Sequence, residues 1–321
     1  MQAYPIKFAP ILKEKIWGGE KLSKLLHKKT NLNNVGESWE ISGVEDNIST
    51  VSNGLYKGQS LNHLIASHKS EFLGKKNIAV FGENFPLLIK FLDAKTNLSV
   101  QVHPDDDMAK AQHNSFGKTE MWYIMNSDKD AEIVLGLKDN DVDKNVLNSI
   151  NSSNVDAVFN TEKVKQGDSY FIPAGKIHAI GAGVLAAEIQ QTSDITYRVY
   201  DWDRTDTNGH QRELHTDFAI AATKSFPSNG KRNYQLKANQ TSNLVDCDFF
   251  TTNIFEVKSN QKRDYRSLDS FVIFMCVEGT AEVTINNVTE IVDMGETILI
   301  PANTDSVIFK SESAKLLEVY I

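Results

Sequence analysis

Strand-length apolar runs recur along most of the chain: EIVLGL (132–137), SYFIPA (169–174), ITYRVY (195–200), FVIFMCV (271–277), AEVTI (281–285) and TILIPA (297–302). Each is rich in β-branched or aromatic residues and is bounded by Gly, Asn, Asp or Ser, the pattern of short strands joined by turns. A helical period shows in three places. SLNHLIASHKSEFLG (60–74) brings Leu61, Leu64, Ile65 and Phe72 near one face and closes on a glycine. The segment from Asp105 to His113 opens with acidic residues suited to a helix N-terminus. HTDFAIAATKSF (215–226) predicts another helix ahead of Pro227, and the polar stretch 140–154 predicts a short helix or a loop. The pattern predicts a mainly β protein with a few short helices.

The strands repeat. GDSYFIPAG (167–175) has an echo in GETILIPAN (295–303), and upstream EMWYIMNSDKDAEIVL (120–135) matches SFVIFMCVEGTAEVTI (270–285). This alignment sets Glu120 over Ser270 and Ala131 over Ala281, and two matching pieces in one order imply a duplicated all-β module. The second copy has Ser306 where the first has His178, and no histidine follows His215. The Ser, Asn and Lys-rich region 225–243 is the best boundary. We therefore expect an enlarged functional domain over 1–240 and a degenerate one, without metal ligands, over 241–321.

Composition narrows the partners. The 321 residues carry a net charge of −8, a poor match to nucleic acid or to an anionic membrane. FPLLIKFL and FVIFMCV are too short to span a bilayer, and MQAYPIKFAP reads as the start of a domain rather than a secretory signal. The two cysteines, Cys247 and Cys276, fit no metal or redox spacing, so reduced buried thiols and a cytoplasmic location are expected.

Candidate chemistry comes from three segments. In LSVQVHPDD (98–106) strand alternation puts Ser99, Gln101 and His103 on one face, opposite Val100 and Val102. Glu120 opens an apolar strand in GKTEMWYI (117–124), and His178 follows the Pro173-Ala174-Gly175 turn, which fixes its placement. Two histidines and a carboxylate form a donor set for zinc or another divalent first-row metal, with an amide oxygen as an occasional fourth ligand. The absence of thiolates excludes a zinc finger.

The run from Gly167 through Pro173, Ala174 and Gly175 to His178 resembles the second conserved motif of the cupin superfamily. Gln101 stands where the first cupin motif normally has a histidine, which turns the reading away from an iron dioxygenase. A narrower resemblance spans nearly the whole chain. IWGG (16–19), VGESWEIS (35–42), FPLLIKFLDA (85–94), LSVQVHPDD, GKTEMWYI, PAGKIHAIGAG (173–183) and LAAEIQQTSDITYRVYDWDR (185–204) are similar, in order, to the type I mannose-6-phosphate isomerases of the short bacterial form.

That resemblance implies two cupin (jelly-roll β-barrel) modules and one Zn2+ per chain. It places the zinc ligands at Gln101, His103, Glu120 and His178, a catalytic arginine at Arg198, and substrate contacts at Lys90 and Lys118. Lys90 is expected at the phosphate and Lys118 nearer the chemistry. The implied reaction converts mannose 6-phosphate to fructose 6-phosphate through a cis-enediol, in a monomer or homodimer. An isomerase of another sugar phosphate and a non-catalytic sugar-binding cupin are the alternatives. Glu40, Glu188 and Gln190 are further candidates for the pocket wall or for structural hydrogen bonds, whereas Trp17, Trp39 and Trp122 are expected in the core.

Overall fold

The computed structural model describes residues 1–139, 143–206, 208–226 and 230–321. The strand Leu87–Ala94 shows how the first module is built, because it is buried at every position. Leu87, Ile89 and Phe91 face one apolar cluster, with Phe271, Ile273, Met275 and Leu317. Leu92 and Ala94 face another, with Trp17, Trp122, Ile133, Tyr170 and Ile180. A strand covered on both sides must read as a near-continuous apolar run, and FPLLIKFLDA does.

That strand belongs to a six-stranded sheet ordered Ile11–Gly19, Val35–Ser42, Leu87–Ala94, Val184–Gln191, Glu120–Ser127, Ser169–Ile172. A five-stranded sheet faces it, ordered Tyr197–Tyr200, Val100–Val102, His178–Ile180, Glu132–Leu137, Phe159–Lys163. The inner faces share the Trp17–Trp122–Tyr170 cluster. The outer face of the five-stranded sheet presents Val100, Val102, Ala179 and Val199 to the helix Thr216–Ala222.

The third sheet forms the C-terminal module. Its long strands Thr251–Asp264, Val272–Ile285 and Ser306–Tyr320 are broken by register shifts and enclose a core of Phe255, Phe274 and Phe309. Alternation sends Ile273, Met275, Leu317 and Val319 the other way, onto the outer face of the six-stranded sheet. The second module thus buries the back of the sheet that carries Glu120 and Lys90. The architecture is mainly β with cupin-type modules and few short helices, as expected.

Two local expectations are refined. The helix expected over 60–74 divides into Leu61–His68 and Ser70–Leu73, because Lys69 adopts a left-handed φ of 44° that ends the first piece. Asp105 caps Asp106–His113 by accepting from the Met108 N–H. The polar segment 140–154 contains the 3-10 helix Lys144–Ser149; its residues 140–142 lie outside the described residues, as does Pro227.

The repeat alignment also needs a correction at its start. Glu120 pairs with Ile172 of the IPAG strand, whereas the residue that pairs with Ile300 of IPAN is Val272, not Ser270. The turn before Ala131 is two residues longer than its counterpart before Ala281. A slip of two keeps every side chain on the same face, so the apolar pattern hid it. The position of the Glu120 carboxylate is filled by a buried valine in the second copy, and Ser270 instead accepts a hydrogen bond from Asn77 at 3.2 Å.

Candidate metal centre and cavity

Strand register aligns the candidate residues. His178 lies opposite Gln101, and Gln101 lies opposite Arg198, so these three occupy one row across adjacent strands of the five-stranded sheet. Glu120 comes from the facing sheet. Its Oε1 lies 3.3 Å from His178 Nε2, its Oε2 lies 3.4 Å from His103 Nε2, and the two imidazole nitrogens are 3.1 Å apart. All three side chains are about 1% exposed.

The Pro-Ala-Gly turn aims His178 in two ways. Gly175 takes a φ of 89°, and its N–H donates to the His103 carbonyl at 2.8 Å, so the turn and the His103 segment are joined by backbone. The Lys176 carbonyl then accepts from His178 Nδ1 at 2.8 Å. A carbonyl cannot donate, so Nδ1 carries the proton and Nε2 points a lone pair at Glu120 and His103. Trp122 packs edge-on against the same ring at 5.4 Å.

The charge states suit a cation. Burial, then the Lys118 ammonium, pushes His103 down to about 3, and burial also lowers His178, so both rings are neutral at physiological pH. Burial opposes ionisation of Glu120, but the surrounding interactions, led by the Lys118 ammonium, outweigh it and hold the carboxyl well below its usual range. Both Glu120 oxygens and His103 Nδ1 are buried without a hydrogen-bond partner among the described residues. Leaving an ionised carboxylate so is costly unless a cation completes it. His103, Glu120 and His178 therefore fit a divalent metal, with ligand atoms all within 4.8 Å of one another.

A cavity of about 160 Å³ opens beside the triad, with Gln101 and Lys118 in its lining. Lys118 Nζ lies 3.4 Å from Glu120 Oε2. On the opposite wall Lys90 does not stand unpaired. Its ammonium lies 3.2 Å from Glu188 and 2.7 Å from the Gln190 side-chain oxygen, and it sits over the Trp39 ring. Burial would lower its pKa, but Glu188 and Glu37 more than reverse this. Glu37 accepts from the Trp39 indole at 2.6 Å and pairs with Lys15 at 3.0 Å. Burial and the Glu120 charge push Glu188 up despite Lys90.

Arg198 lines the cavity and differs from these cations. Among the described residues no carboxylate lies within ion-pair distance of it; its Nη1 donates to the Glu213 carbonyl at 2.6 Å, and its Nε is buried without a partner. Neither Asp194 nor Asp201 pairs with it. Burial, then Arg212, lowers its pKa below the ordinary guanidinium value.

Every candidate ligand and substrate contact from the sequence thus lies in the triad or in the cavity wall. Glu188 lines the cavity as well, but Glu40 does not: it pairs with Lys28 at 2.7 Å in another part of the first module. Gln190 serves Lys90. Trp17 and Trp39, expected in the core, are both buried and part of the wall. Sequence reasoning passed over Lys15, Glu37, Thr196 and Arg212. Alternation with Arg198 could have found Thr196, whereas nothing near Arg212 marks it.

Comparison with known proteins gives the chain its relatives. A family model described as phosphomannose isomerase type I, catalytic domain, matches residues 6–142, and one for the mannose-6-phosphate isomerase cupin domain matches 240–321. The chain is 36% identical over 306 residues to mannose-6-phosphate isomerase ManA of Bacillus subtilis, covering 94% of both. It is 34% identical over 301 residues to a mannose-6-phosphate isomerase of Streptococcus mutans, covering 93% of both. The crystal structure of the mannose 6-phosphate isomerase from Bacillus subtilis superposes with a TM-score of 0.89 at 33% identity, with all of each chain covered.

Proposed function

This chain belongs to the type I phosphomannose isomerase family, and we propose that it interconverts mannose 6-phosphate and fructose 6-phosphate through a cis-enediol, with one zinc ion held by Gln101, His103, Glu120 and His178. The observation that carries this reading is the buried triad of two neutral imidazoles and one ionised carboxylate beside a cavity rich in cations. When bound, zinc supplies a Lewis acid for the oxygens at C1 and C2.

The remaining steps fall to the chain's own side chains. Gln101 presents its amide oxygen from the strand position between His178 and Arg198. The reaction moves a weakly acidic proton between C2 and C1 and develops negative charge on the adjacent oxygen. Arg198, a cation without a carboxylate partner among the described residues, stabilises that charge. It does so without giving up a proton, because a guanidinium stays charged at working pH. Lys118, beside Glu120, holds the substrate near the reacting carbons. Lys90, already shared between Glu188 and Gln190, suits a hydroxyl better than a dianion. Glu188, Asp194 and Lys118 are the titratable groups of the lining nearest in kind to a proton carrier.

The test is conversion of mannose 6-phosphate by the purified protein in D2O, followed by NMR. Fructose 6-phosphate carrying solvent deuterium at C1 is the expected product. Absence of fructose 6-phosphate would remove the activity, and product formed with the C2 hydrogen wholly retained would remove the solvent-exchanging enediol.

A further inference from the structure

Beyond Tyr200 the chain reverses through two consecutive left-handed residues, Trp202 at φ 60° and Asp203 at φ 53°. Such residues are uncommon, and a tryptophan there needs compensation from its surroundings. The compensation is visible. The Trp202 indole donates to the Leu98 carbonyl at 2.7 Å, and the Tyr200 hydroxyl donates to Asp203 at 2.8 Å. Arg204 donates to the Asn97 carbonyl at 2.6 Å. On its return the chain pairs with Arg198 again: His215 N–H donates to the Arg198 carbonyl at 2.7 Å, and the Glu213 carbonyl accepts from the Arg198 guanidinium.

One buried carboxylate sits at the crossing of this strap. Asp201 is 6% exposed and accepts from Arg204 Nη2 at 2.7 Å, and from Arg212 through Nε at 2.8 Å and Nη2 at 2.6 Å. The Arg212 contact is a two-point fork, which fixes the plane of the guanidinium as well as its place. Arg212 then lines the cavity on the same wall as Arg198, across from the Lys90 and Glu37 wall. The described cations of the other wall are each matched by a carboxylate, Lys15 by Glu37 and Lys90 by Glu188. On the strap wall, Arg212 pairs with Asp201, which Arg204 also engages, and among the described residues neither Asp201 nor the lining carboxylate Asp194 pairs with Arg198. This wall carries the surplus positive charge of the cavity, in a chain whose net charge is −8.

We propose that Asp201 is a positioning residue that holds Arg212 at the cavity wall, where its guanidinium takes the phosphate of the substrate while Arg198 faces the reacting end. This inference rests on the sugar-phosphate reading above. Its test uses the metal-loaded full chain and the variants R212Q, D201N, D201E and the double variant D201N/R212Q. Kinetics with mannose 6-phosphate is read together with inorganic phosphate, both as a competitive inhibitor and by calorimetric titration. One charged hydrogen bond to a phosphate corresponds to about tenfold to a hundredfold in affinity. R212Q should raise KM and weaken phosphate binding by that amount, with kcat falling far less. D201N should do the same by roughly tenfold, and D201E, which keeps the carboxylate, should fall between it and the parent chain. Because Asp201 acts through Arg212, the double variant should bind phosphate no worse than R212Q.

Unchanged KM and phosphate affinity in D201N would overturn the proposal, as would losses that multiply in the double variant. Should D201N fail to fold, the comparison of D201E with the parent decides, since a purely structural Asp201 would change thermal stability and leave phosphate affinity alone. Phosphate titration is independent of turnover. A parent chain that binds phosphate through Arg212 yet converts no mannose 6-phosphate would refute the activity and leave this inference standing.

Discussion

Replacing Glu37 by glutamine tests the electrostatics of the cavity wall. The indole of Trp39 can still donate to the new amide oxygen, so the change removes charge while keeping shape. Burial works against ionisation of Glu37, but Lys90 and Lys15, with the Trp39 hydrogen bond, pull its pKa down to about 2 from 4.5. At 1.36 kcal/mol per unit, that gap corresponds to about 3 kcal/mol of stability at pH 7. The folded-state pKa lies below the unfolded one. The contribution is therefore complete above pH 4.5, shrinks as pH falls, and is gone near pH 2. Urea unfolding of the parent and E37Q, both stripped of metal with chelator, should differ by about 3 kcal/mol at pH 7 and by only about 1 kcal/mol at pH 3. A difference that stays constant with pH, or no difference at pH 7, would refute the claim that Glu37 is held ionised by the two lysines.

Two substitutions probe the triad. G175A meets both a φ of 89° and a Cβ placed 2.9 Å from the Ala222 carbonyl oxygen, so it should cost about 1–3 kcal/mol by denaturant unfolding. Since the Gly175 N–H joins the turn to His103, the variant should also bind metal more weakly; full metal retention in a folded G175A protein would contradict that link. H178S writes into the first module the residue found at the aligned position of the second. It should lower metal affinity by about 100-fold or more, because even residues that only support a ligand cost about 10- to 100-fold. Metal content after dialysis checks this, and stoichiometric retention would remove His178 from the ligand set.

Much of the fold was legible because both faces of the six-stranded sheet are covered, which leaves runs such as FPLLIKFLDA almost wholly apolar. The triad was legible for another reason. Alternation along LSVQVHPDD exposes Gln101 and His103 on one face, and the IPAG turn leaves a rigid backbone signature ahead of His178. What escaped was set by tertiary contact. The partners of Lys90, expected at the phosphate, escaped because Glu188 and Gln190 are about a hundred residues away on the neighbouring strand. Arg212 escaped because its position depends on Asp201 and on a left-handed turn at Trp202, a residue that seldom signals such a turn. The two-residue slip in the repeat escaped because side chains two apart share a face, so the apolar pattern matches equally well before and after it.

The central claim is that catalysis depends on a divalent metal held by His103, Glu120 and His178. The most direct measurement follows conversion of mannose 6-phosphate to fructose 6-phosphate by one preparation as isolated, after chelation, and during stepwise return of zinc. Activity should vanish on chelation and rise in proportion to zinc until one equivalent per chain is bound. Conversion that survives complete removal of metal from the folded protein, or a fully zinc-loaded protein that converts nothing, would contradict the account.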